Sequence, residues 1–339
     1  MNDNTNNDVR FPAPTFSILT PVYNTNPEVL EACVRSVLAQ RYTNWQLCLV
    51  DDASPDAHIW PLLKKIATWD PRIFVGRREV NGGIAAASND CAALATGDVI
   101  SLLDHDDALH PNALYKVAQE FIGDDTVDYV YTDEDLIEPD GRRHSPFYKP
   151  DWSPERFRGQ MYTCHLSSIR RSVFAEVGGF REGYDGSQDW DLILRVTERA
   201  RRIVHIPEVL YHWRIVPTSV LSGDDVKPYA YVSAHKALSD HIARVGIAGE
   251  VEELERRGHF MVRRATDESE LISIIIPTRG SVGSPWGQRR VMVIEAVRSV
   301  LERSTYPNVE IVVVYDSVTP QPVLNELAAI AGERLTLVE

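Results

Sequence analysis

The run Val99-Ile100-Ser101-Leu102-Leu103-Asp104-His105-Asp106-Asp107 sets five strand-forming residues against three acids in four positions. A strand covered on both faces reads as a continuous apolar run. In open α/β sheets, ligands bind just beyond the carboxyl ends of such strands. Crowded carboxylates repel one another unless a cation or positive ligand offsets the charge. Hard oxygen donors suit Mg²⁺ or Mn²⁺, ions commonly shared with substrate phosphates. The stretch therefore predicts a metal–diphosphate site at the end of a central strand. The plainer alternative is a solvated acidic turn that caps the next helix.

On both sides of this run, strand and helix patterns alternate. Phe16–Thr20, Leu47–Val50, Ile73–Val75 and Asp128–Tyr131 read as strands. Between the first two, Asn26 caps a helix and Pro27 fits its first position. Leu30, Cys33, Val34, Val37 and Leu38 then form one apolar stripe. Ile59–Thr68, the Ala-rich Ala85–Ala95, Pro111–Ile122 and Tyr229–Val245 also read as helices. Alternating βαβ units predict an α/β fold with a mostly parallel sheet flanked by helices. From Asp133 to Asp189 the pattern is less regular and rich in Pro, Gly, Trp and Arg, as in a substrate-binding subdomain.

The chain also repeats itself. Phe16-Ser17-Ile18-Leu19-Thr20-Pro21 recurs as Ile272-Ser273-Ile274-Ile275-Ile276-Pro277, and Arg35-Ser36-Val37-Leu38 as Arg298-Ser299-Val300-Leu301. Asn44–Asp52 recurs as Asn308–Asp316, in the same order. A period of this length is one domain, not a solenoid unit. The expected organisation is a disordered tail over 1–14, a catalytic-type domain over 15–250, a charged linker over 251–270 and a partial second domain over 271–339. The second copy holds about one βαβ unit, which cannot bury its sheet faces alone. Either the chain is a fragment of a longer tandem protein, or its last segment docks on the first domain.

Of the 339 residues, 44% are hydrophobic and 25% charged, an ordinary globular composition. No apolar run approaches the ~20 residues that span a bilayer. Met1–Arg10 has neither the basic nor the apolar region of a signal peptide. Cys33, Cys48, Cys91 and Cys164 lie far apart in apolar surroundings, which points to buried thiols in a reducing compartment. The net charge of −14 argues against nucleic-acid binding. Arg142-Arg143 and Arg199–Arg202 could face anionic lipid or an acidic acceptor, with a solvated helix end as the plainer reading.

Several further residues could carry chemistry. Asp51-Asp52 ends a strand as Asp104 does, so two strands deliver carboxylates to one sheet edge. A carboxylate there can accept hydrogen bonds from a base or ribose. Asn81-Gly82-Gly83 leads into the Ala-rich helix, whose N-terminus favours anions. Neither dinucleotide-binding nor P-loop glycine motifs occur. Gly186-Ser187-Gln188-Asp189-Trp190-Asp191 precedes the apolar Leu192–Val196. One of its acids could act as general base, with Trp190 a flat platform for a sugar ring. His212 and Arg214 follow another apolar stretch. Arg214 could hold a phosphate oxygen and His212 could ligate a metal, with a packed structural role the better reading of His212.

Taken together, the set resembles family-2 glycosyltransferases of the GT-A fold. The pieces are Pro21–Asn24, Arg35–Gln40, Val50–Ser54, Asn81–Asn89, Leu103–Asp107, Gly178-Gly179-Phe180 and Gly186–Arg195, in family order. Tyr131–Asp135 and Lys149–Pro154 further resemble a bacterial subgroup that builds O-antigen and other surface polysaccharides, often with tandem domains. The resemblance implies that Pro21, Tyr23 and Asp52 line a nucleoside pocket with Asn81 nearby. It implies Asp104 and Asp106 as the DxD element that holds Mn²⁺ or Mg²⁺ and the donor diphosphate. Asp189 would be the catalytic base, and Trp190 and Asp191 would form the acceptor side.

Gln188 stands where Glu is usual, and Val216-Pro217 where a metal-binding His often follows. The implied reaction is inverting transfer from a UDP- or dTDP-sugar to a hydroxyl of a growing, lipid-linked glycan. It would take place in the cytoplasm or peripherally at the inner membrane face, beside other polysaccharide-assembly enzymes. A phosphohydrolase reading fails at Ala108, where Thr is usual. A non-catalytic carbohydrate-binding or scaffolding domain of a larger polymerase is the alternative.

Overall fold

The structure is a computed structural model that describes residues 11–215 and 228–339. Val216-Pro217 and most of the expected tail lie outside the described residues. Residues 11–14 of that tail are tied down. Phe11 N donates to Ile122 O (3.2 Å), and the Tyr42 hydroxyl donates to Pro14 O (2.6 Å).

The chain divides into two compact units after Arg264. In the first, the elements are β1 (Phe16–Val22), α1 (Pro27–Leu38), β2 (Trp45–Asp51), α2 (Ile59–Ile66), β3 (Ile73–Arg77), α3 (Gly83–Leu94), β4 (Val99–Leu102), β5 (Ala108–Leu109) and α4 (Ala113–Gly123). There follow β6 (Val127–Ile137), β7 (Arg143–Phe147), α5 (Pro154–Gly159), β8 (Ser167–Arg170), α6 (Arg171–Glu176), α7 (Gln188–Thr197), β9 (Arg202–Arg214), α8 (Pro228–Arg244), β10 (Gly249–Glu253) and β11 (Phe260–Arg264). The Asn26 side chain caps α1 by accepting from Glu28 N (2.8 Å), and of the predicted stripe, Leu30, Cys33, Val34 and Val37 are fully buried while Leu38 is half-buried.

One sheet runs β3-β2-β1-β4-β8-β6-β9-β5, with β7 on β6. β3, β2, β1, β4, β6 and β9 point the same way, and β5, β7 and β8 run against them. Successive strand residues face opposite sides, so the sheet feeds two cores. Ile18, Leu47 and Leu49 pack with α1, α2 and α4 on one face. Leu19, Cys48 and Val50 pack with α3, α7 and α8 on the other. The expected mostly parallel α/β sheet is thus present, with three reversed strands.

The expected linker over 251–270 is corrected. β10 and β11 pair antiparallel, and Val251 and Phe260 are buried in the α7–α8 core, so this segment finishes the first unit. Charge had suggested a linker, but apolar residues alternating with charges give the segment a buried side.

The second unit repeats the first three strands and two helices of the first, one strand beyond the single βαβ unit expected. Its strands Ile272–Thr278, Val309–Tyr315 and Leu335–Val338 are parallel, with helices Met292–Arg303 and Gln321–Ala331 between them. Val297, Ile311, Val313 and Leu327 form its own core.

Candidate active site

The carboxyl ends of β1, β2 and β4 lie side by side, which brings Pro21, Asp51-Asp52 and Asp104 to one sheet edge. Because β8 is antiparallel, its beginning reaches that same edge and carries His165 there. β9 ends there too, supplying Tyr211, Trp213 and Arg214. A cleft of about 840 Å³ opens along this edge, lined among others by Pro21, Asp104, His165, Gln188, Asp189 and Trp213.

The acids after β4 do three different things. The Asp104 side chain is 44% exposed and faces the cleft, with its Oδ2 3.9 Å from His165 Nε2. Asp107 is fully buried; it accepts from the Tyr211 hydroxyl (2.6 Å) and Arg214 N (2.7 Å). Burial, together with Asp104 and Asp106, pushes the Asp107 carboxyl well above its usual range. Asp106 is half-buried; burial pushes its carboxyl up, His105 opposes this, and Asp104 adds to it. Donor atoms of Asp104, Asp107 and His165 lie within 4.8 Å of one another. The His165 ring stacks on Tyr211 at 4.5 Å. Sequence reading offered the Asp104–Asp106 pair and missed His165. Little in the sequence marked it: His165 stands two residues before β8, whose four residues include one apolar side chain, and the direction of that strand was not legible.

Asp52 and Asn81 meet, in a role different from base recognition. The Asp52 carboxylate is buried and accepts from Asn81 Nδ2, Gly82 N and Gly83 N, each at 2.9 Å, and it pairs with Arg78 Nε at 3.1 Å. It therefore fixes the turn into α3, taking the amides of the N-cap Gly82 and the first helical residue Gly83. Gly83 sits at φ 81°, where a Cβ would lie 3.1 Å from Asp185 Oδ1. Tyr23 is 48% exposed, beside the cleft-lining Pro21.

α7 presents Asp189 to the cleft. Gly186 precedes it at φ 80°, and a Cβ there would meet Ala230 Cβ at 2.7 Å, so only glycine lets α7 and α8 approach this closely. Asp189 Oδ1 accepts from Trp190 N at 2.8 Å. Burial raises the Asp189 carboxyl above its ordinary range; the Trp190 amide and His165 oppose this, and Asp104 reinforces it. A carboxylate raised in this way is a stronger base than a free one.

Of the two acceptor-side assignments, Asp191 is overturned, whereas Trp190 borders the cleft but is mostly packed in the core. Trp190 is 3% exposed, donates through Nε1 to Phe157 O (3.2 Å), and packs edge-on against Phe157 and Phe260. Asp191 is fully buried between Arg181 and Arg195, with Arg195 Nη2 at 2.8 Å. Residues along a helix rotate by ~100° each, so Asp191, two positions on from the cleft-facing Asp189, turns into the core.

Arg214 lies outside the cleft lining and braces the acidic loop through Nε to Asp106 O (2.8 Å). His212 is packed as expected, its Nδ1 2.6 Å from Asp135. The basic runs are largely spent internally. Arg201 binds Asp128 (2.8 Å), Arg202 binds Asp124 (2.5 Å), and Arg143 lies 3.1 Å from His212. No described helix is long and apolar enough to cross a membrane.

A mostly parallel sheet carries an acidic cluster at its carboxyl edge, with a further acid on a following helix, and it is at such edges that open α/β sheets bind ligands. The sequence profile described as Glycosyl transferase family 2 matches residues 17–178. The O-antigen biosynthesis protein RfbC of Myxococcus xanthus is 36% identical over 90% of this chain and 23% of its own length. The putative colanic acid biosynthesis glycosyl transferase WcaA of Escherichia coli K12 is 30% identical over 57% of this chain and 73% of its own length. The crystal structure of Staphylococcus aureus TarS 1–349 in complex with UDP-GlcNAc superposes with a TM-score of 0.54 at 19% identity, covering 67% of this chain and 66% of that one. The chain belongs to glycosyl transferase family 2, and its first unit has the GT-A fold. It spans about a quarter of the length of RfbC.

Proposed function

We propose that the first unit transfers a sugar, with inversion, from a UDP- or dTDP-sugar to a hydroxyl of a growing, lipid-linked surface polysaccharide. The observation that carries this reading is the meeting of Pro21, Asp104, His165 and Asp189 in one cleft. Asp189 takes the proton of the acceptor hydroxyl. The oxygen then attacks the anomeric carbon from the face opposite the diphosphate, whose bond to the sugar breaks. Fixing donor and acceptor side by side in the cleft supplies much of the remaining rate.

A mixed set of carboxylate and imidazole donors, one carboxylate half-exposed, fits Mn²⁺ or Mg²⁺. Asp104 would hold the ion with His165 and Asp107, whose donor atoms lie within 4.8 Å of its own; Asp106, the second acid of the expected pair, lies outside that set and outside the cleft lining. When bound, it offsets charge on the departing diphosphate. The names of RfbC and WcaA support a polysaccharide acceptor, and the UDP-GlcNAc held by TarS supports a nucleotide-sugar donor. A lipid-linked acceptor would bring the domain to the cytoplasmic membrane face beside other assembly enzymes.

The test is a thermal-shift screen of UDP-, dTDP- and GDP-sugars with Mn²⁺, Mg²⁺ or EDTA. One nucleotide class should raise the midpoint by several degrees with the metal and lose that effect in EDTA. Stabilisation by none of them, or equal stabilisation in chelator, would count against the reading.

A further inference from the structure

Two motifs that the catalytic reading leaves unused, Tyr131–Asp135 and Lys149–Pro154, meet inside the cleft wall. Lys149 Nζ is fully buried and lies 2.9 Å from Glu134 Oε2, itself nearly buried. The ammonium also donates to Thr163 O (2.8 Å) and to His165 O. Glu134 Oε2 accepts in turn from His165 N (3.2 Å). One ion pair thus holds both main-chain polar groups of His165. The Lys149 amide is anchored as well, donating to Asp133 Oδ1 at 2.9 Å.

Buried ion pairs are weak stabilisers, because desolvation offsets much of their attraction. Fixing the location of a neighbour is a better account of this one. Stacking on Tyr211 at 4.5 Å and an edge contact with Trp213 at 5.6 Å then set the ring plane. The outcome is an imidazole whose Nε2 stands 3.9 Å from Asp104 Oδ2, too far for a hydrogen bond. Two donors each about 2.1 Å from a shared octahedral ion lie about 3–4.2 Å apart.

We infer that His165 is the nitrogen ligand of the cation in this cleft, and that Glu134 and Lys149 are its positioning residues. The inference rests on the glycosyltransferase reading for its cation. His165 supplies the third protein ligand that the sequence lacked after Arg214. It also gives the Tyr131–Asp135 and Lys149–Pro154 segments a shared task.

The experiment is Mn²⁺ titration of the whole chain by electron paramagnetic resonance, without donor or acceptor, with thermal midpoints measured alongside. His165→Gln should keep its fold and bind Mn²⁺ at least tenfold more weakly. The charge-neutral double variant Glu134→Gln/Lys149→Met, with His165 intact, should weaken Mn²⁺ about 10–100-fold, as loss of ligand-orienting partners does. In the wild type, substoichiometric Mn²⁺ should broaden the His165 imidazole resonances first, a readout that needs no variant to fold. Unchanged affinity in folded His165→Gln, or an unbroadened imidazole, overturns the inference while leaving sugar transfer intact as a reading. A wild type that binds Mn²⁺ through His165 yet moves no sugar supports the inference and sinks the reading.

Discussion

Replacing Asp189 by Asn separates chemistry from folding with little geometric disturbance. The asparagine oxygen can still accept from Trp190 N, the 2.8 Å contact that seats the side chain at the start of α7. What disappears is the capacity to take a proton. A positioned general base contributes about 10²–10⁴-fold, so turnover should fall by that factor, or about 2.7–5.4 kcal/mol of barrier. Stability should move the other way. Burial raises the Asp189 carboxyl in the folded state, so the native protein binds this proton more tightly than the unfolded chain does. Its contribution is favourable below the unfolded value near 3.8 and is lost as pH rises through the folded one. At neutral pH the ionised form is therefore a burden, and Asp189→Asn should melt at an equal or higher temperature. The assay is release of nucleoside diphosphate with acceptor present, beside calorimetric melting at pH 7. Activity above a tenth of wild type, or a clear drop in melting temperature, would refute the reasoning.

The corrected role of Asp191 gives a contrasting expectation. Asp191→Ala strands Arg195 in the core and should cost about 3–5 kcal/mol in urea unfolding; a variant with native stability but a raised acceptor KM would restore the sequence-based assignment. Glu198 is pushed up by burial, but His241 and Arg244 outweigh this and hold it at about 2. Its contribution is therefore present above the unfolded value of 4.5 and fades as pH falls toward about 2, and Glu198→Gln should flatten the stability profile across that window. An unchanged acid profile would show that these contacts contribute nothing.

Much of the scaffold was legible because it is written locally. The Asn26–Pro27 start, the stripe from Leu30 to Val37 and the alternation of βαβ units depend on neighbours within one or two turns, and the structure reproduces them. The repeat identified the second unit for the same reason, although it continues into a third strand at Leu335–Val338. The segment called a linker failed because charge dominates Glu250–Arg264, while its few apolar residues, Val251 and Phe260, decide where it packs. Asp191 failed because a motif names residues but not the helix face on which each lies. The Asp191–Arg195 spacing of four did carry the signal of an internal pair.

By itself, the sequence determined that strands would end in carboxylates at one edge and that an acidic helix start would follow. Composition, periodicity and capping act over a few residues, so they survive without the fold. Only the tertiary structure decided which of those groups face the cleft. The reversal of β8 delivers His165, the buried Glu134–Lys149 pair grips its backbone, and Asp52 turns inward to hold a loop. These outcomes depend on strand direction and side-chain reach between segments distant in sequence, which no local pattern encodes.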